Sequence, residues 1–226
     1  MTSYSSLVNA INSLIANPKT KQTLQLNRRT GDKAFEVYVF ALVTKAVKQA
    51  GGSVTITGIN SGANPTTLVF RGSPGRMSST TQDFTYASCE LNGCRFEIHV
   101  AVQYLGTSGA WHELDVSIFD SDRADVIRSA RVIPDSRALR GGIECKLYDS
   151  DMGVSLGRTF VGLVSDMGAL RTKSFVSNGR HEGLADYFSK SGRPDPYFSL
   201  SPSNKDIEER FVRSIEQALR KWCGVY

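Results

Sequence analysis

A mixed α/β fold, a central β-sheet flanked by helices, is what the sequence predicts, and three observations carry it. Residues 53–105 break into short runs rich in Val, Ile, Phe and Tyr, bounded by turn residues. Apolar residues recur at helical spacing over 32–50, 154–166 and 204–222. Beyond Tyr148 the patterns alternate as helix, strand and helix, the crossover signature of parallel pairing. The 226 residues, 40% hydrophobic and 22% charged, suffice for a real core and read as neither disordered nor membranous.

The elements follow in order. Leu7, Val8, Ile11, Leu14 and Ile15 predict an N-terminal amphipathic helix over 3–16, and Arg28-Arg29 fall in the loop after it. Asp32 is a candidate N-cap for a helix running to about Ala50, stopped by Gly51-Gly52. Its inward stripe is Phe35, Val39, Leu42 and Ala46. Glu36 lines up with Phe40, Val43 and Val47: either it stays wet in the first turn, where the helix dipole favours an acid, or it is buried with a partner. Strands are expected at Val54–Thr57, Thr67–Arg71, Phe84–Leu91 and Cys94–Leu105, with Asn92-Gly93 as a type I′ hairpin turn. His99 is expected on an outer face. A helix over Gly183–Lys190 follows a short strand at Ser174–Ser177, and Asn204–Trp222 forms a closing helix.

Net charge +5 and a sequence pI near 9.1 suit a polyanionic partner. With no leader-like or membrane-spanning run, a soluble, cytoplasmic protein is expected. Cys89, Cys94, Cys145 and Cys223 have no Cys-x-x-Cys spacing, which argues against structural zinc. The turn at Asn92-Gly93 does not set Cys89 opposite Cys94.

Chemistry concentrates between His112 and Tyr148. Strand 112–119 is expected to put Glu113, Asp115 and Ser117 on one face, and His112, Leu114, Val116 and Ile118 on the other. A second strand, 143–148, is entered through Gly141-Gly142 and carries Glu144 and Lys146 on one face. If the two strands are neighbours, two carboxylates and an ammonium converge. Hard divalent ions take such carboxylates, and the ammonium can position an attacking water. An exposed Glu-x-Lys is also an ordinary solvated ion pair. The connector at 121–140 holds Arg123, Arg128, Arg131, Arg137 and Arg140 among Asp122, Asp125 and Asp135. It reads either as a salt-bridged surface or, on the view that it leaves and re-enters the sheet beside the acids, as a phosphate-holding cluster.

On Asp115, Glu144 and Lys146 the chain resembles the PD-(D/E)XK nuclease superfamily, whose motif is an Asp, a variable gap, then (Asp/Glu)-x-Lys on the next strand. Leu114 stands where the name-giving Pro would be, a variable position in that superfamily. The resemblance spans roughly residues 32–190. It includes the αβββαβ order and the joint at Phe175–Gly179, which looks like that of the archaeal-resolvase-like and methyl-directed restriction branches. It implies a restriction-endonuclease-like core inside a single nuclease-like domain over 1–226, with helices 3–16 and 204–222 as additions. The activity implied is a Mg²⁺- or Mn²⁺-dependent endonuclease hydrolysing DNA, of restriction/defence or recombination type. Asp115 and Glu144 would hold the ion, with the Cys145 carbonyl as a third ligand and Glu36 supporting it directly or through water. Lys146 would position the water, Glu113 is an extra acid, and the five arginines would bind DNA. DNA is the implied partner, and a homodimer would allow both strands to be cut. The alternatives are a catalytically inactive nucleic-acid-binding module of the same fold, or an unrelated α/β protein with a fortuitous Glu-x-Lys.

Overall fold

The computed structural model describes residues 30–148, 152–179, 181–190 and 192–225, so the expected helix over 3–16 and Arg28-Arg29 lie outside the described residues. Helix α1 (Thr30–Gln49) leads into β1 (Ser53–Gly58), a two-residue β2 (Gly62–Ala63), β3 (Thr85–Leu91), β4 (Cys94–Leu105) and β5 (Trp111–Asp120). Helix α2 (Ser121–Ala130) and a 3₁₀ turn (Ser136–Ala138) connect to β6 (Leu139–Lys146). Then come α3 (Val154–Asp166), β7 (Thr172–Ser177), α4 (Glu182–Phe188), β8 (Asp195–Tyr197) and α5 (Lys205–Trp222).

The chain is α/β: the strands form one mixed sheet in the order β2-β1-β3-β4-β5-β6-β7-β8. Neighbours from β2 to β6 are antiparallel, and β6, β7 and β8 are parallel. Each face supports its own core. On one, α1 and α5 pack through Phe35, Val39, Val43, Phe211 and Ile215 onto Phe96, Ile98, Val116 and Ile143. On the other, α2, α3 and α4 bring Ile127, Phe160 and Leu184 against Tyr104, Leu114, Phe119 and Phe175. Helix α1 packs against both the sheet and α5. That is why its expected stripe and its second row, Phe40, Val43 and Val47, are all buried.

Several expectations are met and several are corrected. Asn92 and Gly93 both take positive φ, as a type I′ turn requires, and Cys89 pairs with Phe96, not Cys94. Thr67–Arg71 is not a strand. It makes only an isolated bridge between Val69 and Phe84, because β1 pairs directly with β3 and leaves no edge for it. Gly141 and Gly142 lie inside β6 rather than ahead of it. A Cβ on Gly141 would come within 2.8 Å of the Thr172 methyl and 3.0 Å of Ile118 Cδ1, so the bare backbone lets β5 and β7 close on it. His99 is 2% exposed rather than outward-facing, because α2 covers that face.

Candidate active site

The face expected for strand 112–119 is also corrected, and the correction builds the site. Regular alternation fails in the middle of β4 and β5. Ala101 has φ 53, and the ladder passes from Val100↔Val116 to Val102↔Leu114 without pairing Ala101 to Asp115. Around this irregularity Val116 and Ile118 face the α1 core and Leu114 the opposite one. Ser117 bonds Tyr104 at 2.6 Å on that opposite side, and so does not share a face with Asp115. On its other flank β5 pairs with β6 only as far as Val116↔Ile143. The next rung would join Asp115 to Glu144. Instead the Asp115 carboxylate accepts the Cys145 amide at 2.7 Å, filling the gap where the strands part.

Asp115 in this gap is reached from both faces. Glu144 and Lys146 are in register with Phe175 and Ser177 of β7. Lys146 Nζ lies 2.5 Å from Glu144 Oε1 and 3.6 Å from Asp115 Oδ2, so one ammonium bridges both predicted acids. From the α1 side comes Glu36, 4% exposed, both of whose oxygens are bound by Lys33 at 2.8 Å. Glu36 is therefore buried with a partner rather than wet. Helix α1 can begin this close to β6 because Gly31 lies against Leu147, where a Cβ would come within 2.7 Å of its Cδ2. A cleft of about 600 Å³ opens here, its walls including Lys33, Glu36, Glu113, Asp115, Lys146 and the loop Gly72–Pro74.

The electrostatics follow from burial and crowding. Burial, then the neighbouring Asp115 charge, pushes Glu36 well above the usual carboxylate range, against the pull of Lys33. Glu144 is raised by the same two causes in the same order, against Lys146. Burial opposes the charge on Lys146, but Asp115 and Glu144 outweigh it and hold the ammonium protonated above its ordinary range. Burial raises the Cys145 thiol, which makes it a poor nucleophile; its backbone amide is what serves the site.

Mutually repelling carboxylates around a polar cleft fit a hard divalent ion, which takes oxygen donors and neutralises their charge. Among the described residues no three His, Cys, Asp or Glu side chains stand ready-converged on such an ion. Lys33 contacts both oxygens of Glu36, and Lys146 lies between Asp115 and Glu144.

The connector arginines are not brought to this cleft. Asp115 lies in the first half of β5 and Glu144 near the end of β6, whereas α2 and the 3₁₀ turn follow Asp120 and precede Leu139. In an antiparallel pair the connection joins the ends opposite to those that carry the acids, so the expected placement beside the site is corrected. Arg128 instead makes two bonds to Glu97, at 2.7 and 2.6 Å, and one to Asp125. Arg123 and Arg137 pair with Asp135, Arg140 pairs with Asp120, and Arg131 is the exposed left-handed C-cap of α2. Sequence reasoning missed Lys33 and the loop Gly72–Pro74. The Lys-x-x-Glu spacing on α1 carried a signal for the first.

The chain matches no protein-family model, no curated protein and no solved structure.

Proposed function

We propose that this chain is a divalent-metal-dependent deoxyribonuclease with a restriction-endonuclease-like core, hydrolysing DNA phosphodiester bonds. The observation that carries the reading is Lys146 bridging Asp115 and Glu144 at the point where β5 and β6 separate. Element order supports it too: with β1–β3 and α2 as additional elements, α1 is followed by the antiparallel β4, β5 and β6, then α3 and a parallel β7.

Mg²⁺ or Mn²⁺, when bound, supplies Lewis acidity toward the phosphate and a water of lowered pKa. Asp115, Glu144 and Glu36 would hold it, and the hydrogen bond donated by the Cys145 amide to Oδ2 keeps Asp115 oriented with Oδ1 directed to a ligand. Lys146 would turn its ammonium from the two acids toward the attacking water, holding it in line and offsetting negative charge as that charge grows on the phosphate. Lys33 and Lys146 are the cations of the cleft wall suited to a phosphate oxygen.

Incubation with supercoiled, linear, branched and single-stranded DNA, with Mg²⁺ or with chelator, tests the reading. Cleavage with Mg²⁺ that stops with chelator is expected. DNA binding without cleavage under any divalent ion would favour an inactive binding module of the same fold.

A further inference from the structure

On the wall of the cleft opposite β6, a second ammonium is held as Lys146 is. Lys33 Nζ lies 2.8 Å from both oxygens of Glu36, and its side chain is 12% exposed. Asp32, Glu113 and Asp115 also line the cleft, so Lys33 sits among acids. A carboxylate with both oxygens engaged by one ammonium keeps only its remaining lone pairs for a divalent ion, and the cation–cation repulsion at that range drives the ammonium away. A lysine is suited to this, because its four-carbon stem re-aims a point charge without moving the backbone.

We propose that Lys33 is a movable counter-ion of the site, holding Glu36 in the metal-free protein and turning to a substrate phosphate oxygen once the ion has displaced it. The proposal rests on the nuclease reading above. The ion and Lys33 compete for the same two oxygens, so loading the site releases a positive charge into a cleft of about 600 Å³. The group that then enters with the opposite charge is the phosphate. Lys33 thereby makes a metal-loaded cleft more receptive to nucleic acid than an empty one.

The test measures Mn²⁺ affinity by calorimetry for the parent, Lys33→Met and Lys33→Arg. Lys33→Met is expected to bind Mn²⁺ about tenfold more tightly, and Lys33→Arg, which keeps the charge, like the parent. Lys33→Gln, which keeps a hydrogen bond to Glu36 without the charge, stands in if the Met variant does not fold. DNA affinity is then read by anisotropy with Mn²⁺ in the slow-cutting Lys146→Ala background. Adding Lys33→Met there should weaken binding and lower the salt slope by about one. Unchanged or weaker Mn²⁺ binding by Lys33→Met, beside a parent that binds, overturns the displacement and leaves the nuclease reading standing. Unchanged DNA affinity and slope overturn the phosphate contact. A parent that binds no Mn²⁺ removes the nuclease reading and this proposal together.

Discussion

Asp115 has two duties, closing the gap between β5 and β6 through the Cys145 amide and facing Glu36, Glu144 and Lys146. Asp115→Ala should therefore abolish Mn²⁺ binding and cleavage together. It should also cost roughly 1–3 kcal/mol of stability, because a buried amide loses its acceptor. Asp115→Asn keeps an acceptor and should recover the stability but not the metal. Lys146→Ala should leave ion binding intact or tighter, while cleavage falls by roughly a hundred- to a thousandfold, about 2.7–4 kcal/mol. Calorimetry beside plasmid cleavage separates the two, and parental cutting by both variants would remove the catalytic assignment. Away from the cleft, Arg128→Ala leaves Glu97 buried without its bidentate partner. Denaturant unfolding should register a loss of about 3–5 kcal/mol. A change in the exposed Arg131 should stay within about 0.5 kcal/mol. Equal effects from the two would contradict the structural role given to Arg128.

At the scale of elements, β6 is the strand on which the fold depends. It accepts β5 antiparallel on one edge and β7 parallel on the other, and at Gly141 side chains from both, Ile118 and Thr172, close over the bare backbone. Gly141→Val should cost about 1–3 kcal/mol by overpacking, read as a lower denaturant midpoint with an unchanged slope. A neutral result would mean that β5 and β7 shift freely. Helix α5 closes the sandwich over α1 with Phe211, fully buried and edge-on to Tyr197. Phe211→Ala should cost roughly 3–5 kcal/mol. Since α1 carries Glu36 and Lys33, that variant should also weaken Mn²⁺ binding at temperatures where it remains folded.

At the scale of the whole molecule, one source of acid sensitivity is a polar network buried beneath α2. Burial disfavours the Glu97 charge, but the Arg128 and His99 bonds outweigh it and hold its pKa below the usual carboxylate range. His99 is held below its ordinary value of 6.5, first by burial and then by Arg71 and Arg128, against the pull of Glu97. Neutral His99 donates from Nε2 to Glu97 and stacks on Tyr86. Both shifts are downward, so both contributions are present at neutral pH and lost as pH falls. The His99 part begins to go below about pH 6.5 and the Glu97 part below about pH 4.3, as the groups protonate more readily in the unfolded chain. Glu36 and Glu144, raised by burial, act in the opposite sense and gain stability as pH falls. The His99 part is therefore read as a difference: the gap in denaturant midpoint between the parent and His99→Gln should narrow from about pH 8 to about pH 5. A gap that stays constant over that range would contradict the buried, neutral histidine.

The sequence by itself determined most of the architecture, because hydrophobic period and turn chemistry are local. The spans of α1, β4, α3 and α5, the Asn92-Gly93 turn and the parallel step after β6 all follow from neighbours along the chain. It also determined that Asp115, Glu144 and Lys146 belong together, since their spacing on adjacent strands survives in the fold. Tertiary structure decided the rest. Strict alternation assigned Asp115 and Ser117 to one face, but the left-handed Ala101 and the parting of β5 from β6 change the faces, and neither has a signature in residue type. His99 and Arg128 carry the composition of a surface, yet α2 packing over β4 leaves His99 buried and Arg128 half-buried against Glu97. The pairing of Lys33 with Glu36 is local to α1, but its place in the cleft needed α1 to lie against the end of β6. Burial and charge pairing depend on which elements meet across the sheet, and that information is spread over the whole chain rather than held at any one position.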